Sequence, residues 1–126
     1  MDRGENELSN RIIGAAIEVH KVLGPGLLES AYRDCLCVEL QIRNIKFEKE
    51  REIPVEYKSS IVRGYRADIV VEDLVIIECK AVAKIEPLFA SQMLTYLRTS
   101  GLHLGLLINF NVLLLKDGIH RIVNGL

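Results

Sequence analysis

Residues 67–80 read Ala67-Asp68-Ile69-Val70-Val71-Glu72-Asp73-Leu74-Val75-Ile76-Ile77-Glu78-Cys79-Lys80, and their interpretation decides the fold. Two apolar runs flank a polar turn, and each carries charge where a strand buried on both faces should carry none. Period two places Glu78 and Lys80 on the same face of the second run. If the loop is Glu72 to Leu74, Val71 pairs with Val75 and Asp68 lies opposite Glu78, with Cβ atoms ~5 Å apart. Two carboxylates that close do not both ionise cheaply unless a cation sits between them. Mg²⁺ or Mn²⁺ meets that need, because hard cations take oxygen ligands and keep several waters. A slip of one residue would send the two acids to opposite faces.

Outward from this hairpin, the periodicity changes. Leu8, Ile12, Ala15, Ala16, Val19, Val22 and Leu23 recur at helical spacing, and Gly24-Pro25-Gly26 ends that helix. A second helix runs from about Leu27 to Arg43, with Asn44 as its stop. Lys46 to Tyr57 reads as a strand, and Pro54 assigns it to a sheet edge. Lys58-Ser59-Ser60 is a turn, followed by strands over Ile61 to Val71 and Leu74 to Lys80. Ile85 to Ser100 is helical, with Pro87 in its first turn and Gly101 past its end. Leu104 to Phe110 and Val112 to Lys116 read as strands, and Asp117-Gly118 signals a hairpin into Ile119 to Val123. The order ααβββαβββ implies an α/β domain, a mixed β-sheet flanked by helices.

The 126 residues suit a single domain over 1–126, with 1–6 expected to fray. Lys and Arg total 16 against 17 Asp and Glu, a net charge of −1, which excludes a strongly basic nucleic-acid binder. Three cysteines without CxxC spacing argue against a disulfide framework or a zinc site. The charged start has no apolar leader, and the greasy run Leu104 to Leu115 is shorter than the ~18 residues of a span. A cytoplasmic setting without membrane contact is the expectation.

Asp68-x9-Glu78-x-Lys80 resembles the motif of the PD-(D/E)xK nuclease superfamily. Gln92-Met93-Leu94-Thr95-Tyr96 looks like the QxxxY motif of its exonuclease branch, and Gln92 and Tyr96 share a helix face. Gly26-Leu27-Leu28-Glu29-Ser30-Ala31-Tyr32 is similar to the signature of the GxxExxY family within that superfamily. The resemblance runs from about Leu8 to Val123 and takes in His20, Gly24-Pro25-Gly26 and Asn109-Phe110-Asn111…Lys116-Asp117-Gly118. It implies a restriction-endonuclease-like core and metal-assisted phosphodiester hydrolysis with Mg²⁺ or Mn²⁺. By the same resemblance Asp68, Glu78 and the Cys79 carbonyl would hold the metal, with Glu29 as the extra acid. Lys80 would position the attacking water, and Gln92 would steady Lys80 or contact substrate, with Tyr96 in support.

Each residue has a plainer alternative. Asp68 or Glu78 alone could be a charge at a wet sheet edge, and Glu29 an acid favoured by its helix dipole. Gln92 and Tyr96 could simply pack, while His20 and Tyr32 fit structural roles with satisfied polar atoms. Cys79 is expected in the core, opposite Glu78. Arg63, Arg66, Lys84 and Arg98 could line a phosphate track or form an ordinary charged surface. The leading expectation is a divalent-metal-dependent nuclease acting on nucleic acid, DNA before RNA. The alternatives are a non-catalytic nucleic-acid-binding or assembly module with a protein partner, and a hydrolase of small phosphoesters. Apolar strands near Val112 to Leu115 would also suit a homodimer.

Overall fold

The computed structural model describes residues 2–126. Its elements are α1 (Glu5–Leu23), α2 (Glu29–Ile42), β1 (Phe47–Tyr57), β2 (Ser60–Val71), β3 (Val75–Lys80), α3 (Pro87–Ser100), β4 (Leu104–Asn109) and β5 (Ile119–Val123). One five-stranded sheet runs β1-β2-β3-β4-β5. Every neighbouring pair is antiparallel except β3 and β4, which the α3 crossover makes parallel. The mixed sheet flanked by helices is the α/β core expected from the sequence.

The two faces of the sheet bury different helices. Ile69, Val71, Val75, Ile77, Cys79, Leu106 and Ile108 pack with Leu8, Ile12 and Ala16 of α1 and Leu36 and Leu40 of α2. Val70, Ile76 and Leu107 pack with Met93 and Leu97 of α3 on the other side. The alternation along β2 turns over at Asp68, because Ala67 joins the α3 side while Ile69 joins the α1–α2 side. β1 is irregular at the same level: Glu50 faces the Asp68 position between the Lys49↔Ile69 and Arg51↔Ala67 pairs and has φ of 58°.

Local chemistry explains most element ends. Pro54 sits on the edge strand at the register shift between Ile53 and Val55, where its missing N–H costs no ladder bond. Lys58 and Ser59 both take positive φ and join Tyr57 to Ser60 in a two-residue hairpin. Glu72 and Asp73 also have positive φ, and Val71 pairs with Val75 across the loop Glu72–Leu74, in the register expected from sequence. Gly101 closes α3 in the left-handed conformation.

Two expectations are corrected. Residues 112–116 are not a strand but part of the connection between β4 and β5, which ends in a 3₁₀ turn at Leu115–Gly118. The sheet passes directly from β4 to β5, and residues 112–116 pair with no strand of it. Leu113 and Leu114 are exposed in this loop, and the strand surface offered for a homodimer is absent. Asp117-Gly118 accordingly closes the 3₁₀ turn before β5 rather than a two-residue hairpin. At the other end helical order begins at Glu5, whose buried carboxylate accepts the Arg3 N–H, so ordering starts within the segment expected to fray.

Candidate active site

Three elements converge at the C-terminal end of β3. Register extends the Ile69↔Ile77 pair to Asp68 opposite Glu78, and here side chains take over from the ladder. The Asp68 N–H donates to Glu78 Oε2 at 2.8 Å, and the Cys79 N–H donates to Asp68 Oδ2 at 2.9 Å. Each carboxylate thus satisfies a backbone donor of the opposite strand where the strands would otherwise part. The Tyr65 hydroxyl donates to Glu78 Oε1.

Burial makes both acids reluctant to ionise. Glu78 is 3% exposed, and desolvation, then the nearby Asp68 charge, push its pKa up to about 7. Asp68 is half-buried and is also shifted upward by burial, against the pull of the Cys79 N–H, Arg33 and Lys80. Burial first, and the Glu78 charge second, drive the Tyr65 hydroxyl above its ordinary range, so it stays a donor.

Lys80 ends β3 opposite Asn109 of β4. Its Nζ lies 3.9 Å from Glu29 Oε1 and 4.6 Å from the ring centroid of Phe89. Glu29 is the first residue of α2 and Phe89 belongs to the first turn of α3, so Lys80 sits between the starts of two helices. The segment beyond Lys80 is pinned by Asn109, whose Nδ2 donates to the Val82 carbonyl at 2.9 Å and whose Oδ1 accepts the Val82 N–H at 3.1 Å. The Phe110 N–H donates to the Lys80 carbonyl at 2.9 Å.

Other residues singled out from sequence fall into two groups. Tyr96 joins the cluster by stacking on Tyr65, with ring centroids 4.0 Å apart and planes within 5°. Gln92 does not: it is exposed, and its side chain forms no hydrogen bond or ion pair among the described residues. His20 and Tyr32 stand behind the site. His20 Nε2–H donates to the Val112 carbonyl at 2.8 Å. The Tyr32 hydroxyl donates to the Gly24 carbonyl at 2.5 Å and accepts the Leu27 N–H at 3.1 Å, while its ring stacks on Phe110. Tyr32 therefore fixes the turn that leads into Glu29. The Cys79 side chain is fully buried on the α1–α2 side, as expected. Arg63 and Arg66 are not a free phosphate track, since they pair with Glu52 and Glu50 at 3.3 and 3.8 Å.

Tyr65 and Asn109 were not foreseen. Tyr65 had one available signal, its place three residues before Asp68 on the same strand; Asn109 entered only as part of the Asn109-Phe110-Asn111 segment of the resemblance, with no role assigned.

Among the described residues no group of three or more His, Cys, Asp or Glu side chains forms a ready-made metal cage. Asp68 and Glu78 nevertheless supply hard oxygen donors close together, Glu78 buried and Asp68 half-buried. One or two carboxylates completed by water suit a small hard divalent cation, so the donor set fits one.

The sequence profile of the PD-(D/E)XK nuclease superfamily matches residues 6–122. The chain belongs to the PD-(D/E)XK nuclease superfamily. Nothing among the curated proteins or the solved structures matches it. In this PD-(D/E)XK chain the acid pair, the ExK lysine and the supporting tyrosines share one end of the sheet. That membership makes a nuclease-type function, nucleic acid as substrate and divalent-metal dependence the general expectation. No helix among the described residues is long and apolar enough to cross a membrane.

Proposed function

We propose that this chain is a Mg²⁺- or Mn²⁺-dependent nuclease of the GxxExxY type that hydrolyses phosphodiester bonds in DNA or RNA, DNA first. The observation that carries the reading is the Asp68–Glu78 pair across β2 and β3, two residues from a lysine held at the strand end. Asp68 and Glu78 would hold the cation, with the Cys79 carbonyl and Glu29 as further oxygen donors. A bound divalent cation lowers the pKa of its water and offsets charge on the phosphate oxygens.

The chain's own residues do the rest. Lys80 carries a positive charge beside the acids and can orient a water or neutralise a phosphate oxygen. Glu29 faces the ammonium at 3.9 Å from the start of α2. Phe89 covers its stem. Gln92, exposed one turn before Tyr96, is free to meet the substrate backbone. Three free cysteines agree with a reducing, cytoplasmic setting.

A second reading is a non-catalytic nucleic-acid-binding or assembly module that works with a protein partner. It draws on one observation: Arg33, Lys49, Arg51, Arg63 and Arg66, the basic residues of α2, β1 and β2, all face acids, which lowers the positive potential those elements offer a polyanion. The experiment that separates the two uses end-labelled single- and double-stranded DNA and RNA with Mg²⁺, Mn²⁺ or EDTA. Metal-dependent cleavage that falls at least about a hundredfold in Lys80→Ala and Asp68→Ala is the expected result. Cleavage that survives both substitutions would point to a contaminant, and none on any substrate would favour the module.

A further inference from the structure

Tyr65 lies outside the motifs quoted above, yet its hydroxyl donates directly into the acid cluster, to Glu78 Oε1. It lies opposite Ile53 in the β1–β2 ladder, and its ring is backed by Tyr96 of α3 at 4.0 Å. Ladder and helix together leave the hydroxyl little freedom to leave Glu78. The consequence falls on the carboxylate. Glu78 Oε1 accepts the Tyr65 O–H and Oε2 accepts the Asp68 N–H, while Asp68 Oδ2 accepts the Cys79 N–H. Both Glu78 oxygens are thus engaged by donors from β2, and Asp68 Oδ1 is the carboxylate oxygen of the pair left without a protein donor.

We propose that Tyr65 is a positioning residue that keeps Glu78 from chelating through both oxygens and so tunes the site for a small octahedral cation over Ca²⁺. Mg²⁺-like ions take one oxygen from each of one or two carboxylates and fill the remaining positions with water. Ca²⁺ takes six to eight oxygens and gains from bidentate carboxylates. A Glu78 that accepts one hydrogen bond at each oxygen can serve the first pattern with one remaining lone pair. The second needs the remaining lone pairs of both oxygens turned to one ion, a rotation that the two hydrogen bonds resist. Partners of this kind behind a metal-ligating carboxylate typically change affinity by about 10–100-fold. The proposal rests on the metal-dependent reading above and adds to it which ion the site prefers and which residue sets the preference.

The test is calorimetric titration of the full chain with MnCl₂ and with CaCl₂ at one pH, without nucleic acid. It compares the unaltered protein with Tyr65→Phe, which keeps the stacked ring and deletes only the hydroxyl, and Tyr96→Leu, which removes the backing ring. In Tyr65→Phe, Mn²⁺ affinity should fall about 10-fold or more while Ca²⁺ affinity holds or rises, lowering the Mn²⁺/Ca²⁺ preference by at least about 10-fold. Tyr96→Leu should move the preference the same way by a smaller factor. Should circular dichroism show Tyr65→Phe unfolded, Tyr96→Leu decides by the same ratio. Equal losses for both ions would mark general damage and overturn the proposal, as would an unchanged preference. If the unaltered protein binds neither ion, the metal-dependent reading itself falls, and that outcome is distinct because it needs no substitution.

Discussion

Glu78 is held in a position that opposes its own charge. Its pKa is raised from 4.5 to about 7, chiefly by burial and then by Asp68. An acid whose folded pKa exceeds its unfolded one favours the folded state when protonated. The metal-free chain should therefore be most stable on this account below about pH 4.5, and lose that contribution as pH rises to about 7. The size is on the order of 3 kcal/mol, from 1.36 kcal/mol for each pKa unit. Asp68, shifted in the same direction by burial, adds to the trend. Thermal midpoints taken in EDTA from pH 4.5 to 8 should fall more steeply for the unaltered chain than for Glu78→Gln, and parallel curves would contradict this. At pH 8 a divalent cation should raise the midpoint of the unaltered chain and leave that of Asp68→Ala unmoved. Part of this site could be read from sequence, because charge inside an apolar run is conspicuous and period two fixes which charges share a face. Tyr65 could not be read so. An aromatic residue in a strand is ordinary, and its value comes from a hydroxyl whose partner lies thirteen residues along the chain.

Legibility at the scale of elements followed the strength of local signals. α1 to α3 and β1 to β3 fell within a few residues of their expected spans because stripes, Pro54, Pro87 and Gly101 all agree with the tertiary arrangement. The apolar run at 112–116 misled because composition alone suggests a strand, whereas the run forms the connection from β4 to β5 and joins no ladder of the sheet. The connection is instead fixed by contact. A Cβ on Gly118 would lie 2.0 Å from the Asn109 carbonyl oxygen, a backbone atom at the end of β4. Gly118→Ala should destabilise the fold by about 2–3 kcal/mol through overpacking, measured by urea unfolding. It should also weaken the Asn109 clamp on Val82 and lower any activity that depends on Lys80. A loss below about 0.5 kcal/mol would show that the loop yields easily. Tyr32→Phe tests the other side of the site. It leaves the Phe110 stack but deletes the hydroxyl between Gly24 and Leu27, and should cost about 1–2 kcal/mol.

For the molecule as a whole, the deciding quantity is how much positive charge remains available near the site. The chain carries −1 overall, and the basic residues of α2, β1 and β2 are already matched: Lys49 to Asp34 and Arg51 to Asp73 at 2.6 Å, Arg33 to Glu50 at 3.1 Å. Exposed pairs of this kind add ~0–1 kcal/mol each to stability, so their larger effect is to withhold cations from a polyanion. Lys84 in the segment after Lys80 forms no ion pair among the described residues and is the nearest spare cation in sequence. Affinity for duplex nucleic acid depends on salt with a logarithmic slope of about −0.9 for each phosphate neutralised. With Lys80, Lys84 and one or two surface cations engaged, the slope should be no steeper than about −4. Fluorescence anisotropy with a short labelled duplex in EDTA, from low to moderate salt, measures it directly. A slope steeper than about −5 would mean that Arg33, Arg63 and Arg66 give up their acids for phosphates when substrate binds. In that case Glu50→Gln, which frees Arg66 and leaves Arg33 with Asp34 alone, should tighten binding, whereas with a shallow slope it should change affinity less than about threefold.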